Sequence, residues 1–223
     1  MLFRSELINA YSSKATYLGA LLGDAVTALR AAEKLDYIHR NRTAENRAAM
    51  PTAWAHARLG DRKTGISELG RAIAARIEAK SKNQVPLYLG LLAEMEAEEG
   101  DFDGALTRID EALALTRETG ERQYDAFLFR LRGEICLKRD PGSPAAAEEA
   151  FLSAVDIAKR QGGRFFGLRA ALSLAKLYQS TSRPAEANAV LAPALEGFSP
   201  TPEMREIGEA LELMAAIEAN AQL

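Results

Sequence analysis

His39, His56 and Cys136 are the side chains best suited to hold a borderline metal, and they are too few. A closed zinc site takes four Cys or His ligands at short, paired spacings, whereas these two histidines lie 17 residues apart beside a single cysteine. They read as surface or packed residues. Cys136 sits in the apolar run Ile135-Cys136-Leu137, where a thiol acts as a small hydrophobe. One cysteine also excludes a disulfide framework within the chain. Glu94, Glu96, Glu98 and Glu99 concentrate carboxylates, but they lack the ligand order and central glycine of a calcium loop. They read as a solvated helix face running into a turn. No glycine-rich loop leads into Lys-Ser or Lys-Thr in the P-loop pattern. The expectation is therefore no enzyme, no metal and no cofactor.

What must position the remaining side chains is a set of helices. Alanine makes up about a fifth of the residues, and alanine loses no side-chain entropy in a helix. Apolar residues recur at three- and four-residue spacing, as in Leu106, Ile109 and Leu113, without the period-two alternation of a half-buried strand. Breakers fall at regular intervals: Leu59-Gly60-Asp61, Glu99-Gly100-Asp101, Asp140-Pro141-Gly142-Ser143 and Ser182-Arg183-Pro184. Ser143-Pro144 and Thr201-Pro202 read as a capping hydroxyl before a proline at the first helical position. Gly120 and Gly162 lie where a helix would end in the left-handed conformation.

The intervals form a repeat. Small residues at 65, 105, 147 and 187 are spaced by 40, 42 and 40, and seven residues later come Ala72, Ala112, Ala154 and Ala194. A second ladder, Ala53, Ala93, Gly133 and Ala175, is spaced by 40, 40 and 42, so one two-residue insertion between Gly133 and Ala147 explains both irregularities. Small side chains at fixed rungs let two helices approach closely.

The second unit shows the pattern best: Leu89, Leu92 and Ala93, then Glu99-Gly100-Asp101-Phe102, then Ala105, Ile109, Ala112 and Leu113. It resembles the tetratricopeptide repeat. Glu96 stands at the usual tyrosine position and Arg117 at the closing proline, which implies that the second helix runs on. A closer resemblance covers roughly residues 45–215 and is carried by Tyr88-Leu-Gly-Leu-Leu-Ala-Glu-Met, Glu118-Thr-Gly-Glu-Arg, Leu131-Arg-Gly-Glu-Ile and Leu168-Arg-Ala-Ala-Leu-Ser-Leu-Ala. These strings look like the C-terminal repeats of bacterial proteins that join a class III adenylate/guanylate cyclase domain, an ATPase domain and tetratricopeptide-like repeats. The same repeats occur in related ATPase-linked transcriptional regulators. Phe198-Ser-Pro-Thr-Pro-Glu departs from that family's longer aromatic and acidic stretch.

The expected fold is all-α: a tetratricopeptide-like, right-handed α-solenoid of antiparallel helical hairpins. Residues 1–44 form a degenerate first hairpin, in which Gly23-Asp24 and the Ala25/Ala32 ladder imply registers three residues apart. Residues 45–199 form four repeats. Residues 200–223 form a capping helix, with Ile207, Leu211, Met214 and Ile217 inward and Glu203, Glu206, Glu209 and Glu212 toward water. Met-Leu-Phe-Arg-Ser-Glu lacks the regions of a secretory signal, and the apolar stretch at 17–22 is too short to span a bilayer. A cytoplasmic location is the default.

The resemblance puts the first helix of each repeat on a concave groove. It assigns to that groove Arg47, Met50, Trp54 and Arg58, Glu94 and Glu98, Arg130 and Glu134, and Arg169 and Lys176. Tryptophan and arginine often dominate binding energetics, so Trp54 with Met50 is the expected anchor, with Arg130, Arg169 and Lys176 meeting acidic groups. Trp54 filling a gap between hairpins is the competing reading. Net charge is −3, and Glu94 and Glu98 repel a uniformly acidic ligand, so nucleic acid is not the expected partner. Residues 1–62 carry nine Lys/Arg against six Asp/Glu, while 203–223 carry one against five. That asymmetry permits weak head-to-tail self-association, with Leu18, Leu21, Leu22, Val26 and Leu29 as apolar surface at the N-terminal end. The function implied is a non-catalytic protein-interaction or regulatory module. The alternative is a domain sensing a short peptide or small molecule. Part of a catalytic cyclase is the least supported reading, because such a domain needs metal-binding aspartates on strands.

Overall fold

The computed structural model describes residues 10–39, 48–60, 62–201 and 204–220. Among them are eleven helices, a single 3-10 turn and no strand. The all-α expectation holds. Packing divides the chain into two compact units, Met1–Ala112 and Leu113–Leu223.

The first unit contains α1 (Lys14–Leu21, wound as a π-helix), α2 (Ala25–His39), α3 (Ala49–Leu59), α4 (Arg62–Glu78), α5 (Val85–Glu98) and the start of α6 (Phe102–Thr119). Here α2 packs on α1 and α3, α3 on α4 and α4 on α5, while α3 also touches α1 and α5. The second unit contains the end of α6, a 3-10 turn (Arg122–Tyr124), α7 (Asp125–Arg139), α8 (Ala145–Gln161), α9 (Arg164–Ser180), α10 (Pro184–Leu195) and α11 (Arg205–Asn220). Consecutive helices from α7 to α11 pack on one another, and α9 also meets both α7 and α11.

The turns follow from glycine and aspartate. Gly23 and Gly100 sit at φ +75° and +91°, a region that costs a side-chain-bearing residue energy. The next residue then caps a helix: Asp24 Oδ1 accepts the Thr27 N–H at 2.9 Å, and Asp101 Oδ1 accepts the Gly104 N–H at 2.9 Å. Asp24 and Asp101 each precede a fully buried alanine, Ala28 and Ala105, by four residues. Ala25 and Ala32 of the ladder are buried as well, so burial fits both registers of this hairpin. Gly120 and Gly162 are left-handed, and Gly162 caps α8. Ser143 does not cap α8, because Pro144 takes the N-cap position and no side chain bonds there. Thr201 precedes Pro202, which is outside the described residues, and α11 begins at Arg205.

Most of the small-residue ladder is buried, with Ala72 and Ala194 half-buried. Gly65, Ala105, Ala147 and Ala187 all lie in the interior, as do Ala53, Ala93, Gly133 and Ala175. A Cβ placed on Gly65 would overlap Ala57 of α3, and one on Gly133 would lie 2.5 Å from the Phe151 ring. α6 runs on past Arg117 to Thr119, as the missing proline implies.

The core of the second unit gathers Phe151, Leu172, Leu177, Leu191, Ile207 and Leu213. α11 is rotated from its expected face: Ala210 and Leu213 are buried beside Ile207 and Ile217, whereas Leu211 is 44% exposed. Among the described residues no helix is long and apolar enough to cross a membrane.

Two glycines in α4 should respond in opposite directions to alanine. Gly65→Ala forces α3 and α4 apart and should cost about 1–3 kcal/mol. Gly70 has nothing within 4 Å of a built Cβ, so Gly70→Ala should stabilise by about 0.5–1 kcal/mol through reduced backbone freedom. Urea denaturation of the two variants checks the sign of each.

Candidate functional site

The residues assigned to a groove divide into buried apolar ones and paired charged ones. Met50 and Trp54 are each only 1% exposed. This corrects their expected role as a binding anchor. The reason is that α3 packs against α1, α2, α4 and α5, which encloses the side of the helix that carries Met50 and Trp54 and leaves His56 and Leu59 exposed. The Trp54 indole N–H is buried without an acceptor among the described residues. Arg47 lies outside the described residues.

In the first unit the charges meet one another. Arg58 Nη1 donates to both carboxylate oxygens of Glu98, at 3.0 and 2.8 Å, and Nη2 donates to Glu94 at 2.6 Å. Arg62 joins the cluster at 2.9 Å from Glu98. The expected spacing therefore brings Arg58, Glu94 and Glu98 together, but as partners across α3 and α5 rather than as ligand contacts. The acidic run is not a uniformly solvated face either. Glu96 is half-buried and faces Arg108 of α6 across 3.4 Å, with its second oxygen buried and unbonded. Burial raises its carboxyl pKa despite Arg108.

In the second unit α7 and α9 meet in a constant register. Phe127 and Phe166 lie with ring centroids 6.3 Å apart, and Ser173 Oγ donates to Glu134 at 3.0 Å. Both pairs are 39 residues apart. Arg130 is 5% exposed, is ion-paired to Glu134 one turn on, and lies over the Phe127 ring. Arg169 pairs with Glu206 at 3.1 Å, and Lys176 with Glu209 at 2.7 Å. Of the three cations expected to meet an acidic ligand, Arg169 and Lys176 thus meet α11, and Arg130 meets Glu134 of its own helix.

Glu206 and Glu209, the partners of Arg169 and Lys176, are residues that sequence reasoning missed, because they were assigned to the water-facing side of α11. The signal was present as two acids one turn apart on α11, within reach of two bases on α9. The Lys176 hydrogen bond lowers the Glu209 pKa. A further cluster ties α8, α9 and α10. Arg183 reaches Glu148 at 2.8 Å, forks onto Glu186 at 2.5 and 2.7 Å, and lies over the Tyr178 ring. The Arg183 hydrogen bond lowers the Glu148 pKa.

Besides these faces the second unit holds a cleft of about 450 Å³ among α8, α9 and α10. Its size is within the range of small-molecule sites.

Trp54→Ala should cost about 3–5 kcal/mol of stability, as for a core aromatic, and a melting curve measures it. Acid and neutral pH should act oppositely on two groups of carboxylates. Glu148 and Glu209 have lowered folded pKa values, so their contribution is present above the ordinary value of 4.5 and is lost as pH falls through the folded values. Glu96 has a raised value, so its contribution is present below 4.5 and is lost as pH rises through the folded value. Glu96→Gln should therefore raise Tm at pH 7 and lose that advantage below pH 4.5; melting curves across the range decide.

The chain matches no protein-family model, and no curated protein is significantly similar to it.

Proposed function

We propose that the chain is a non-catalytic interaction or regulatory module, built as a right-handed solenoid of antiparallel, tetratricopeptide-like helix pairs and closed by α11. Its first helices would take a protein or peptide segment, as in the sensing arm of the cyclase and ATPase regulators whose repeats its sequence resembles. The observation that carries this reading is the contact of first helix with first helix. α3 touches α5 in the first unit; in the second, α7 touches α9 and α9 touches α11. Stacking of this kind supplies each helix pair with the core it lacks alone. A cytoplasmic location, and partners other than nucleic acid or membrane, go with this reading.

The exposed charges of that face in the second unit are Lys138 and Lys176. A peptide library selected on the purified chain should yield acidic sequences with one apolar residue. Lys138→Glu with Lys176→Glu should weaken the selected peptides about tenfold or more, equivalent to losing about 1.4 kcal/mol. Arg160→Glu, on α8, should not. Selected peptides indifferent to both changes would overturn the reading.

The cleft favours the second reading, a ligand-sensing domain. Catalysis by this chain is tested directly: incubation with ATP or GTP and manganese should give no cyclic nucleotide, and its formation would refute the non-catalytic reading. The solenoid reading also carries weak self-association. Leu21 is buried, and the side chain of Leu18 lies outside the described residues, but Leu22 and Val26 are 37% and 44% exposed. Sedimentation should show a concentration-dependent increase in mass, and a strict monomer would count against it.

A further inference from the structure

We infer that the cleft among α8, α9 and α10 is a binding site for a linear aliphatic carboxylate. The argument begins with its walls. Val155 and Ala158 of α8, Leu168 of α9, and Val190 and Ala194 of α10 line it. Leu168 is fully buried, and Val155 and Val190 are half-buried, so the depth of the cleft is apolar. Gly167 lines the same cleft, and even a Cβ there would only reach ordinary contact with Ala158. Glycines and alanines make up much of the lining, and a volume of about 450 Å³ accommodates an unbranched hydrocarbon chain laid along it. Each methylene buried there adds affinity by removing apolar surface from water.

The polar groups of the cleft carry opposite charges in unequal number. Lys159, Arg164 and Glu196 all line it. Arg164 is held in place, because its Nη2 donates to the Glu196 carbonyl at 2.5 Å and its guanidinium lies 4.6 Å from the Phe198 ring centroid. Neither contact neutralises its charge. Lys159 has no hydrogen-bond or ion-pair partner among the described residues. Two cations against one carboxylate leave a single net positive charge beside an apolar cleft. Its complement is a monoanion with a hydrocarbon tail. A dianionic phosphate ester would meet Glu196 with excess negative charge, and an amine would meet two cations.

None of the ten residues assigned to the groove lines this cleft. Its occupancy therefore does not depend on peptide capture by the first helices, and either reading can fail alone.

Calorimetric titration of the whole chain with octanoate, octanol and octylamine tests the inference. Octanoate should bind with one-to-one stoichiometry and raise Tm, with octanol and octylamine weaker by about tenfold or more. Lys159→Glu should weaken octanoate by at least about tenfold while leaving octanol unchanged. Ala189→Phe, at an exposed position lining the cleft, should abolish binding of all three with helical circular dichroism retained. Failure of octanoate to bind at about 10 mM would overturn the site. Equal binding of octanol would overturn the role of the cations. Octanoate binding unchanged in both variants would place the ligand elsewhere and overturn the assignment.

Discussion

Two helices can approach only as closely as the side chains between them allow, and in this protein small residues set that distance. Gly65 against Ala57 and Gly133 against the Phe151 ring leave no room for one more carbon. The alanines that replace glycine at equivalent rungs, Ala105, Ala147 and Ala187, are at most 1% exposed. Close axes bring long side chains on neighbouring faces into contact, so the larger core residues interdigitate instead of holding the helices apart. Leu69 and Ile73 in α4, and Phe151 beside Leu168 and Leu172 in the second unit, are buried as a consequence.

The charge arrangement depends on the same spacing. Arg58 meets Glu94 and Glu98 because α3 lies against α5, and Glu134 meets Ser173 because α7 lies against α9. These groups are partly exposed, so each ion pair adds about 0–1 kcal/mol. Their larger effect is on register, since a slip of one turn would leave partly desolvated charges unpaired. α11 completes the series from the other direction. It covers the apolar flank of α9 and α10 with Ile207, Leu213 and Ile217, and it supplies Glu206 and Glu209 to the cations of α9. In the second unit the charges of α7 and α9 are thus largely paired with one another and with α11, while Lys138 stays exposed.

Some features deviate from local consistency. Among the described residues, Trp54 buries an indole N–H without an acceptor, and Glu96 buries a carboxylate oxygen without a donor. Both sit on helices enclosed on several sides, where the hydrophobic surroundings outweigh the loss of one hydrogen bond. Arg130 likewise keeps a buried Nη2 unbonded while its other Nη serves Glu134.

Much of the fold was legible in the residues themselves, because it is determined locally. Helical periodicity, the turns at Gly23-Asp24 and Gly100-Asp101, the left-handed Gly120 and Gly162 and the ladder of small residues all depend on neighbours within a few positions. The helical character of the chain and the place of most turns could therefore be read directly, whereas the π-winding of α1 could not. Which side of a helix meets solvent was not legible wherever several elements enclose it. The sequence pattern placed Trp54 and Met50 on an open face, but packing by α1, α2, α4 and α5 closes that face. It also placed Glu206 and Glu209 in water and Leu211 in the core, and a modest rotation of α11 reversed both. Charge identity is written in the sequence, whereas charge partnership is an interaction between atoms 33 to 40 residues apart. Only tertiary structure brings such groups within hydrogen-bonding distance, because the electrostatic gain appears once packing has set the distance between their helices.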